Sequence, residues 1–565
     1  VPEKKKEEWE WNPISRQESL ERVANLARQF SSLGVQKGDR VAIWANTRAE
    51  WCLIDLAILS LGGVVVGIYP SLTKDTVLEQ LSDSESMLLV VEEEQQFLQW
   101  EEELDQIDSL IHVLSIEEGV ELQGLNSELP YSTEENISWL EARIQERNSK
   151  DLASIIYTSG TTGASKGVLL SHLTFISNLH ASRAMVPLKD GARSIVCLPL
   201  AHSLQRFVVY RAFVEDIEGY FAPSLQSIPE TMKAARPTIL IAVPRMLEKI
   251  QNRVYEQARQ RSRLAVFFVK WAIAIGWTIQ QHRVKKEKIP WRVQKQWTFL
   301  DRIVLSTIRT RLGGALEQII SGGAPLQKDT AQFFAALGYQ VIEGWGLSET
   351  CAPATLNIDC AANLGSVGVP MPNMELCLAS DGEILIKGEG VFSGYYRRDS
   401  SRYFQDGFFR TGDIGRLDSQ GNLYITGRKK DIIVTAGGKN IAPQRIASLV
   451  AGGLIHHCIV VGDQQKYLVA LIALDAEELE SLATERNWSG HFAEWAQQKE
   501  VNDIVERKIQ KANQSLASFE QLKKYSIIPE ELTEASGLLT STQKAKKAMI
   551  IECYRDQWEE LYRLA

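Results

Sequence analysis

The sequence has few cysteines, and none of them forms a Cys-x-x-Cys pair. The seven are scattered through 565 residues, at positions 52, 197, 351, 360, 377, 458 and 553. This pattern argues against a zinc ribbon and against a disulfide framework. It favours a reduced, intracellular compartment.

Long hydrophobic runs are also lacking. The longest apolar stretch extends from Leu264 to Ile279, and Lys270 interrupts it. A membrane-spanning helix needs about 20 residues, so this stretch is predicted to be too short. The first residues are charged and no apolar segment follows them, which argues against a secretory signal there. We therefore expect a cytoplasmic protein, although Val1 in place of Met leaves a trimmed start open.

Positive charge is in the minority. The chain has 62 Lys and Arg against 71 Asp and Glu, a net charge of -9, so its bulk charge does not favour nucleic acid. Hydrophobic residues make up 44% and charged residues 24%, which is typical of soluble globular protein and argues against disorder. At about 100–200 residues per domain, the length predicts roughly three to five domains or subdomains.

Short apolar runs alternate with amphipathic stretches through the first half of the chain. A helix is predicted from Glu50 to Leu61, between the first two of these predicted strands: Arg40–Asn46, Val64–Pro70, Met87–Val91, Leu152–Thr158, Ser194–Leu200, Thr238–Val243 and Gln318–Ser321. This alternation favours parallel α/β layers. A glycine-rich, β-rich region is predicted at about 364–427. A smaller α+β unit follows, with strands at His457–Val461 and Tyr467–Leu474 and a long helix from about Lys499.

One segment, residues 251–312, departs from the overall charge. It contains fourteen Arg and Lys and three acidic residues, a balance of +11, and four tryptophans lie in the same stretch. Basic residues interleaved with aromatics are typical of a helix that lies on an anionic lipid surface. The alternative is an amphipathic helix pair packed on the main domain with a solvated basic face.

The strongest chemical signal is the segment from Tyr157 to Gly167, which lies between two apolar runs. Its glycines permit tight turns that expose backbone N–H groups, and five hydroxyls and Lys166 add further donors. This combination suits a polyphosphate. The segment is not a Walker A loop, because the glycine and hydroxyl positions around Lys166 do not match that pattern.

This loop resembles the phosphate-binding loop of the ANL adenylating superfamily, which comprises acyl-CoA synthetases, peptide-synthetase adenylation domains and luciferases. Five further segments agree with the superfamily in order and spacing: Pro199–His202, Ser321–Pro325, Gly344–Thr350, Thr411–Asp413 and Gly427–Asp431. The resemblance covers nearly the whole chain. It implies an α/β protein whose large N-terminal domain, residues 1–427, has two α/β subdomains and a β-barrel-like subdomain. A small mobile α+β C-terminal domain would occupy residues 428–565.

Enzymes of this superfamily attack the α-phosphate of ATP with a carboxylate and then transfer the acyl group from AMP to a thiol. The first step brings a carboxylate to a tetra-anion, so cations and N–H dipoles must offset the repulsion. The resemblance implies that Glu349 holds Mg²⁺, a cation that prefers carboxylate oxygen. It assigns to ATP or AMP the residues Thr158, Ser159, Gly160, Thr161, Thr162, Gly163, Lys166, Gly322, Gly323, Ala324, Gly344, Trp345, Gly346, Ser348, Asp413 and Arg428.

The remaining roles implied by the resemblance concern the substrate carboxylate, the hinge and the thiol. His202 would lie near the carboxylate, and Arg206, one helical turn on, is a weaker candidate whose alternative is a salt bridge. Lys430 would be the hinge. Gly437 and Gly438 would line the tunnel for the pantetheine arm of CoA. Lys544 would be the catalytic lysine of the C-terminal domain, with Lys546 and Lys547 as alternatives, since Leu539–Lys544 departs from the family's segment.

Within the superfamily, the sequence looks most like long-chain fatty acyl-CoA synthetases. The segments Gly344–Thr350 and Ala436–Pro443 match their forms, and the basic segment 251–312 stands where they carry extra helices. The expected function is ATP-dependent activation of a long-chain fatty acid and its transfer to CoA, with peripheral membrane contact through 251–312. A ligase that loads an acyl carrier protein and a sequestering protein with weak catalysis are the alternatives.

Overall fold

The computed structural model describes residues 2–5, 8–117, 119–120, 122–125, 133–158, 165–224, 226–351, 353–540 and 543–563. Its first sheet has seven strands, parallel except for the final antiparallel pair. In spatial order they are Gln123–Gly124, His112–Ser115, Leu88–Val91, Arg40–Trp44, Val64–Ile68, Leu152–Thr158 and Lys166–Ser171. The central strand Val64–Ile68 is buried throughout, as expected of a parallel sheet covered on both faces.

A second seven-stranded sheet follows, with five parallel strands and an antiparallel edge. Its order is Ile217–Phe221, Ala192–Val196, Ile239–Ala242, Gln318–Ser321, Gln340–Trp345, Thr355–Asn357 and Val369–Pro370. The sequence predicts a strand at Ser194–Leu200, but the strand in the structure is Ala192–Val196. It ends before Pro199, which has no N–H to donate to the hydrogen bonds between strands.

Helices cover both sheets, and one hydrophobic core joins the two layers. This core packs helix Ala49–Ser60 and the first sheet against Val196, Leu200 and Val209 from the second layer. The helices of the two layers are Arg16–Ser32, Ala49–Ser60, Lys74–Ser84, Glu94–Leu98, Glu101–Leu104, Thr133–Gln145, His172–Met185, Ser203–Val214, Ile228–Ala235, Pro244–Arg261, Arg263–Val284, Trp291–Leu300, Ser306–Arg311 and Lys328–Ala336, with a π-helical turn at Asp301–Leu305.

The apolar stretch at Leu264–Ile279 is part of a longer helix than the sequence predicts. Helix Arg263–Val284 has 22 residues, which is long and apolar enough to cross a membrane by length and composition alone. The expectation that it is too short was therefore wrong, because polar residues after Ile279 continue the helix. Its buried residues Val269, Ala272, Gly276 and Ile279 recur at helical spacing, so one face packs on the domain.

The rest of the chain forms an antiparallel sheet and then a smaller α+β unit. The five strands of the sheet are Met374–Leu378, Glu383–Gly388, Phe404–Gln405, Phe408–Leu417 and Leu423–Arg428. The α+β unit has strands Ile433–Val434, Asn440–Ile441, Ile455–Val461, Leu468–Leu474 and Leu522–Ile527, and helices Pro443–Val450, Ala476–Arg486, Phe492–Ala496, Lys499–Asn513, Lys547–Cys553 and Arg555–Arg563. A hairpin at the N-terminus pairs Pro2–Lys5 with Glu8–Trp11.

Candidate active site

The two ends of the glycine-rich loop lie side by side at the edge of the first sheet. Thr158 ends one strand and Lys166 begins the antiparallel partner, and the Thr158 hydroxyl donates to the Lys166 carbonyl at 3.4 Å. The residues predicted between them, Ser159, Gly160, Thr161, Thr162 and Gly163, lie outside the described residues.

Two tyrosines from the antiparallel sheet region hold the Lys166 side chain. Its Nζ donates to the Tyr403 hydroxyl at 3.0 Å and lies 5.3 Å from the centre of the Tyr395 ring. The ammonium group lowers the pKa of Tyr403. These contacts fix the Lys166 charge at the mouth of the loop.

Glu349 lies in a short 3-10 turn, Ser348–Thr350, at the end of the second sheet. The Tyr395 hydroxyl donates to Glu349 Oε1 at 2.7 Å, so one tyrosine contacts both the carboxylate and Lys166. Burial and the neighbouring Glu349 charge raise the pKa of Tyr395, which keeps its phenol protonated as a donor. A half-buried, oriented carboxylate beside a phosphate-binding loop fits Mg²⁺, which often takes one or two carboxylates together with substrate phosphates.

Trp345 and Asp413 form the next part of the site. The Trp345 indole Nε1–H donates to Asp413 Oδ2 at 2.9 Å, and Arg428 Nε lies 2.9 Å from Asp413 Oδ1. Burial raises the pKa of Asp413, whereas Arg428 and Trp345 lower it. The aromatic residue at 345 therefore offers an apolar face and also positions the carboxylate that the resemblance assigns to ribose.

Three cations, Arg428, Lys430 and Lys544, lie close enough to Asp413 to interact with its charge, and Lys166 lies close to Lys430. Burial and Arg428 lower the pKa of Lys544, and burial, Arg428 and Lys166 lower the pKa of Lys430. The Lys544 side chain itself is exposed to the cleft, although protein surrounds it on several sides. The positive charges of these residues repel one another, so a bound polyanion would stabilise the cluster.

His202 lies close enough to Lys544 for the lysine charge to change the pKa of the imidazole. It caps helix Ser203–Val214, and its Nδ1 accepts from the Leu204 N–H at 3.1 Å. Burial and Lys544 lower the pKa of His202 to about 4, so the imidazole is neutral near pH 7. Since Nδ1 is the acceptor, the proton resides on Nε2, which is then a donor.

An apolar cavity lies between helix Ser203–Val214 and the second sheet. Leu204 and Pro353 both line this cavity. A Cβ added to Gly322 would lie 3.5 Å from Leu204, and a Cβ added to Gly344 would lie 3.0 Å from Pro353, so both glycines are close to the cavity wall. The cavity also reaches the edge strand at Ile217 and Gly219. Its lining also includes Val186, Leu188, Val196, Phe207, Val208, Val209, Ala212, Ile239, Ile241, Ile320 and Leu356.

The segment Gly322–Ala324 borders the same space. Gly322 is buried at the end of strand Gln318–Ser321, whereas Gly323 and Ala324 are exposed. A Cβ on Gly323 would meet protein atoms only at 3.8 Å, and its φ of +84° lies in the left-handed region that favours glycine. Gly346 and Ser348 follow the neighbouring parallel strand Gln340–Trp345, at the same edge of the sheet.

The predicted hinge and tunnel residues lie where the antiparallel sheet is followed by the C-terminal α+β unit. Lys430 is in the middle of a 3-10 turn, Lys429–Asp431, and Asp431 makes an ion pair with Lys547 at 3.2 Å. Lys547 is therefore engaged next to the predicted hinge residue, whereas Lys544 faces Arg428 and Asp413. Gly437 and Gly438 are in an exposed turn between strands Ile433–Val434 and Asn440–Ile441.

Several residues at or near this site have no motif that marks them in the sequence. Tyr395 and Tyr403 gave no signal because their partners are distant in the chain; Tyr403 is 237 residues from Lys166. Glu343, buried next to Gly344, accepts from the Leu326 N–H at 2.9 Å.

Arg206 is fully buried and its Nε donates to Asp55 Oδ2 at 3.0 Å, so the salt-bridge interpretation of this residue holds.

A large α/β unit, a smaller C-terminal unit and a cationic cleft between them define an adenylate-forming enzyme of the ANL superfamily. Residues 2–396 match the AMP-binding enzyme family, and residues 430–565 match the AMP-binding enzyme C-terminal domain. The chain therefore belongs to the AMP-binding enzyme family.

Curated relatives are similar over almost the whole chain. The "Long-chain-fatty-acid--CoA ligase FadD15" of Mycobacterium bovis is 34% identical over 559 residues, covering 98% of this chain and 92% of the relative. The human "Long-chain-fatty-acid--CoA ligase 1" is 29% identical over 588 residues, covering 96% and 82%.

Solved structures share the fold. ATP-bound MatB from Rhodopseudomonas palustris matches with a TM-score of 0.68 at 23% identity, over 97% of this chain and 95% of that one. The o-succinylbenzoate CoA synthetase MenE from Bacillus subtilis, in complex with ATP and magnesium, matches with a TM-score of 0.65 at 19% identity, over 94% and 93%. At these identities the likeness shows the fold alone.

Proposed function

We propose that the protein is an ATP-dependent long-chain fatty acid–CoA ligase that forms an acyl-adenylate with release of pyrophosphate and then acyl-CoA with release of AMP. The observation that carries this proposal is a cationic cleft that adjoins an apolar cavity. Lys166, Arg428, Lys430 and Lys544 supply the charge, and the cavity is lined by Leu204, whose N–H donates to His202. An acid with a long alkyl tail and a polyphosphate match these two environments.

The first half-reaction joins a carboxylate oxygen to the α-phosphorus and releases pyrophosphate. The neutral His202 would donate from Nε2 to the substrate carboxylate, and Lys544 would stabilise the charge that develops at the α-phosphate. Lys166 and the glycine-rich loop would hold the β- and γ-phosphates. Glu349 would hold Mg²⁺, which neutralises phosphate charge when it is bound. Asp413 would accept from the ribose hydroxyls, with Trp345 against the adenine.

The second half-reaction forms the thioester bond and breaks the acyl–phosphate bond, so AMP leaves. Gly437 and Gly438 are in an exposed turn with no atom within 4 Å of an added Cβ, so the C-terminal unit, residues 428–565, would have to rotate about Lys430 to place them at the thiol channel. The seven cysteines are unpaired, which fits a cytoplasmic enzyme, and segment 251–312 offers contact with the cytoplasmic membrane face.

The test is pyrophosphate release from ATP–Mg²⁺ with acids from acetate to stearate, each with and without CoA. We expect turnover that peaks at long chains, requires CoA and yields acyl-CoA. Acyl-AMP without a CoA product would instead favour a carrier-protein ligase. Retention of an acyl group without nucleotide or turnover would favour a sequestering protein.

Two variants test which residue serves each half-reaction. Lys544→Ala should abolish pyrophosphate release, whereas the matched control Lys546→Ala should retain it. Gly437→Trp should spare adenylation and block thioester formation; Gly437 suits a bulky residue because no atom lies within 4 Å of an added Cβ and its φ is not positive. Full adenylation by Lys544→Ala would refute that assignment.

A further inference from the structure

Two arginines from a distant part of the chain lie at the end of the glycine-rich loop. Lys166 begins the strand that follows the loop. Arg398 and Arg402 belong to the stretch just before strand Phe404–Gln405. The Arg398 guanidinium donates to the carbonyl oxygen of Ser165, the residue before Lys166, at 2.9 Å. This contact joins the arginine stretch to the end of the loop.

Lys166 and Arg402 converge on a single oxygen atom, the hydroxyl of Tyr403. Lys166 Nζ donates to this oxygen at 3.0 Å, and a terminal nitrogen of Arg402 donates to it at 2.8 Å. The Arg402 guanidinium also lies 4.8 Å from the centre of the Tyr403 ring. The hydrogen bond from Lys166 is the main cause of the lowered pKa of Tyr403, and the hydrogen bond from Arg402 adds to it. One phenol oxygen therefore accepts from two cations.

These cations lack a carboxylate partner. Among the residues that the structure describes, none makes an ion pair with Lys166, Arg398 or Arg402, whereas the adjacent Arg397 pairs with Glu85 at 2.6 Å. Positive charges held close together repel one another, so an anion that binds between them is stabilised. A phosphate group suits this place because its several oxygens can accept from a lysine and an arginine at the same time.

The position of the pair within the cleft indicates which phosphate it would contact. At the ribose end of the cleft, Arg428 changes the pKa of both Asp413 and Lys544. Arg402 instead shares an acceptor with Lys166, at the end of the glycine-rich loop. The proposed function, on which this inference rests, gives Lys166 the β- and γ-phosphates.

We propose that Arg402 binds the terminal phosphate of ATP together with Lys166, which replaces the Tyr403 hydroxyl as their shared acceptor, and that it holds pyrophosphate until release. Arg402 makes and breaks no bond in this role. A purely structural role, in which Arg402 only stacks on the Tyr403 ring, would not discriminate between nucleotides by the number of their phosphates.

The test compares Arg402→Gln with wild type for ATP, pyrophosphate and AMP, each with Mg²⁺. We expect the KM for ATP and the Kd for pyrophosphate to rise about tenfold or more, because a charge-assisted hydrogen bond is lost. The Kd for AMP should not change, since AMP has no β- or γ-phosphate. Arg402→Lys keeps the charge without the planar fork and should recover part of the loss. Unchanged values for ATP and pyrophosphate, or an equal loss of AMP affinity, would overturn the proposal.

The adjacent arginine provides a matched control. Arg397 is exposed and already paired with Glu85, so Arg397→Gln should leave all three constants within about twofold of wild type. Calorimetric titration with magnesium pyrophosphate needs neither acid nor turnover, so it tests this contact even if the chain-length series contradicts the ligase. Normal adenylation by wild type with unchanged constants in Arg402→Gln would overturn the contact and leave the proposed function standing.

Discussion

The apolar cavity gives a quantitative prediction about chain length. Ala212 lies on helix Ser203–Val214 and lines the cavity, with Ile217 and Gly219 of the neighbouring edge strand also in the lining. In the variant Ala212→Phe, the phenyl ring would occupy the space that the end of a long chain needs. Each methylene that enters an apolar environment contributes about 0.8 kcal/mol. Exclusion of about four methylenes would therefore cost about 3 kcal/mol, or about 200-fold in kcat/KM.

The assay compares kcat/KM for a 16-carbon and a 12-carbon acid. We expect Ala212→Phe to lower the value for the longer acid by about two orders of magnitude and to leave the value for the shorter acid within about threefold. The control Val214→Phe adds bulk on the same helix at a side chain that is 58% exposed, so it should not change the ratio. An equal loss for both acids, or no loss for either, would refute the assignment of this cavity to the acyl chain.

Two further predictions concern stability and the contact between the two units. Burial raises the pKa of Glu343 to about 7, so the folded protein favours its neutral form; stability is fully present below the unfolded pKa of 4.5 and is lost as pH rises through about 7. Glu343→Gln should remove up to about 3 kcal/mol of this loss. The Tm of the variant should exceed that of wild type clearly at pH 8 and much less at pH 5, and equal Tm differences at the two pH values would contradict this prediction. Arg245 pairs with Asp475, so Arg245→Glu should slow pyrophosphate release about fivefold, and addition of Asp475→Arg should restore it. Equal rates in the single and double variants would contradict this coupling.

The sequence predicts those strands, helices and loops whose residues carry the relevant pattern within a short stretch of the chain. Strands Leu152–Thr158 and Gln318–Ser321 begin and end at the predicted residues, because a buried strand has an apolar run at its centre. Helix Arg263–Val284 was underestimated because helical propensity continues through Gln280 and Gln281 after the hydrophobic run ends. The glycine-rich loop and the Asp413 segment could be found because backbone geometry and chemistry restrict which residues can stand there.

The partners that orient these residues could not be predicted in the same way. Tyr403 reaches Lys166, and Tyr395 reaches Glu349, from a part of the chain that has no period or motif of its own. Trp345 pairs with Asp413 across 68 residues. Such contacts depend on how separate sheets meet, and a sequence pattern shows only which face of an element is apolar.

The contact between the two units also joins residues that are distant in the chain, and it bears on the mechanism. Arg245 and Lys249, on helix Pro244–Arg261, pair with Asp475 and Glu477 at the start of helix Ala476–Arg486, and Lys249 Nζ lies 2.6 Å from Glu477 Oε2. These pairs form in the same orientation that brings Lys544 to Arg428 and Asp413. If Gly437 is to reach the thiol channel, the pairs must separate, so their strength would set the balance between the two half-reactions. Partly exposed pairs are individually worth about 0–1 kcal/mol, which makes this orientation favourable and still easy to leave.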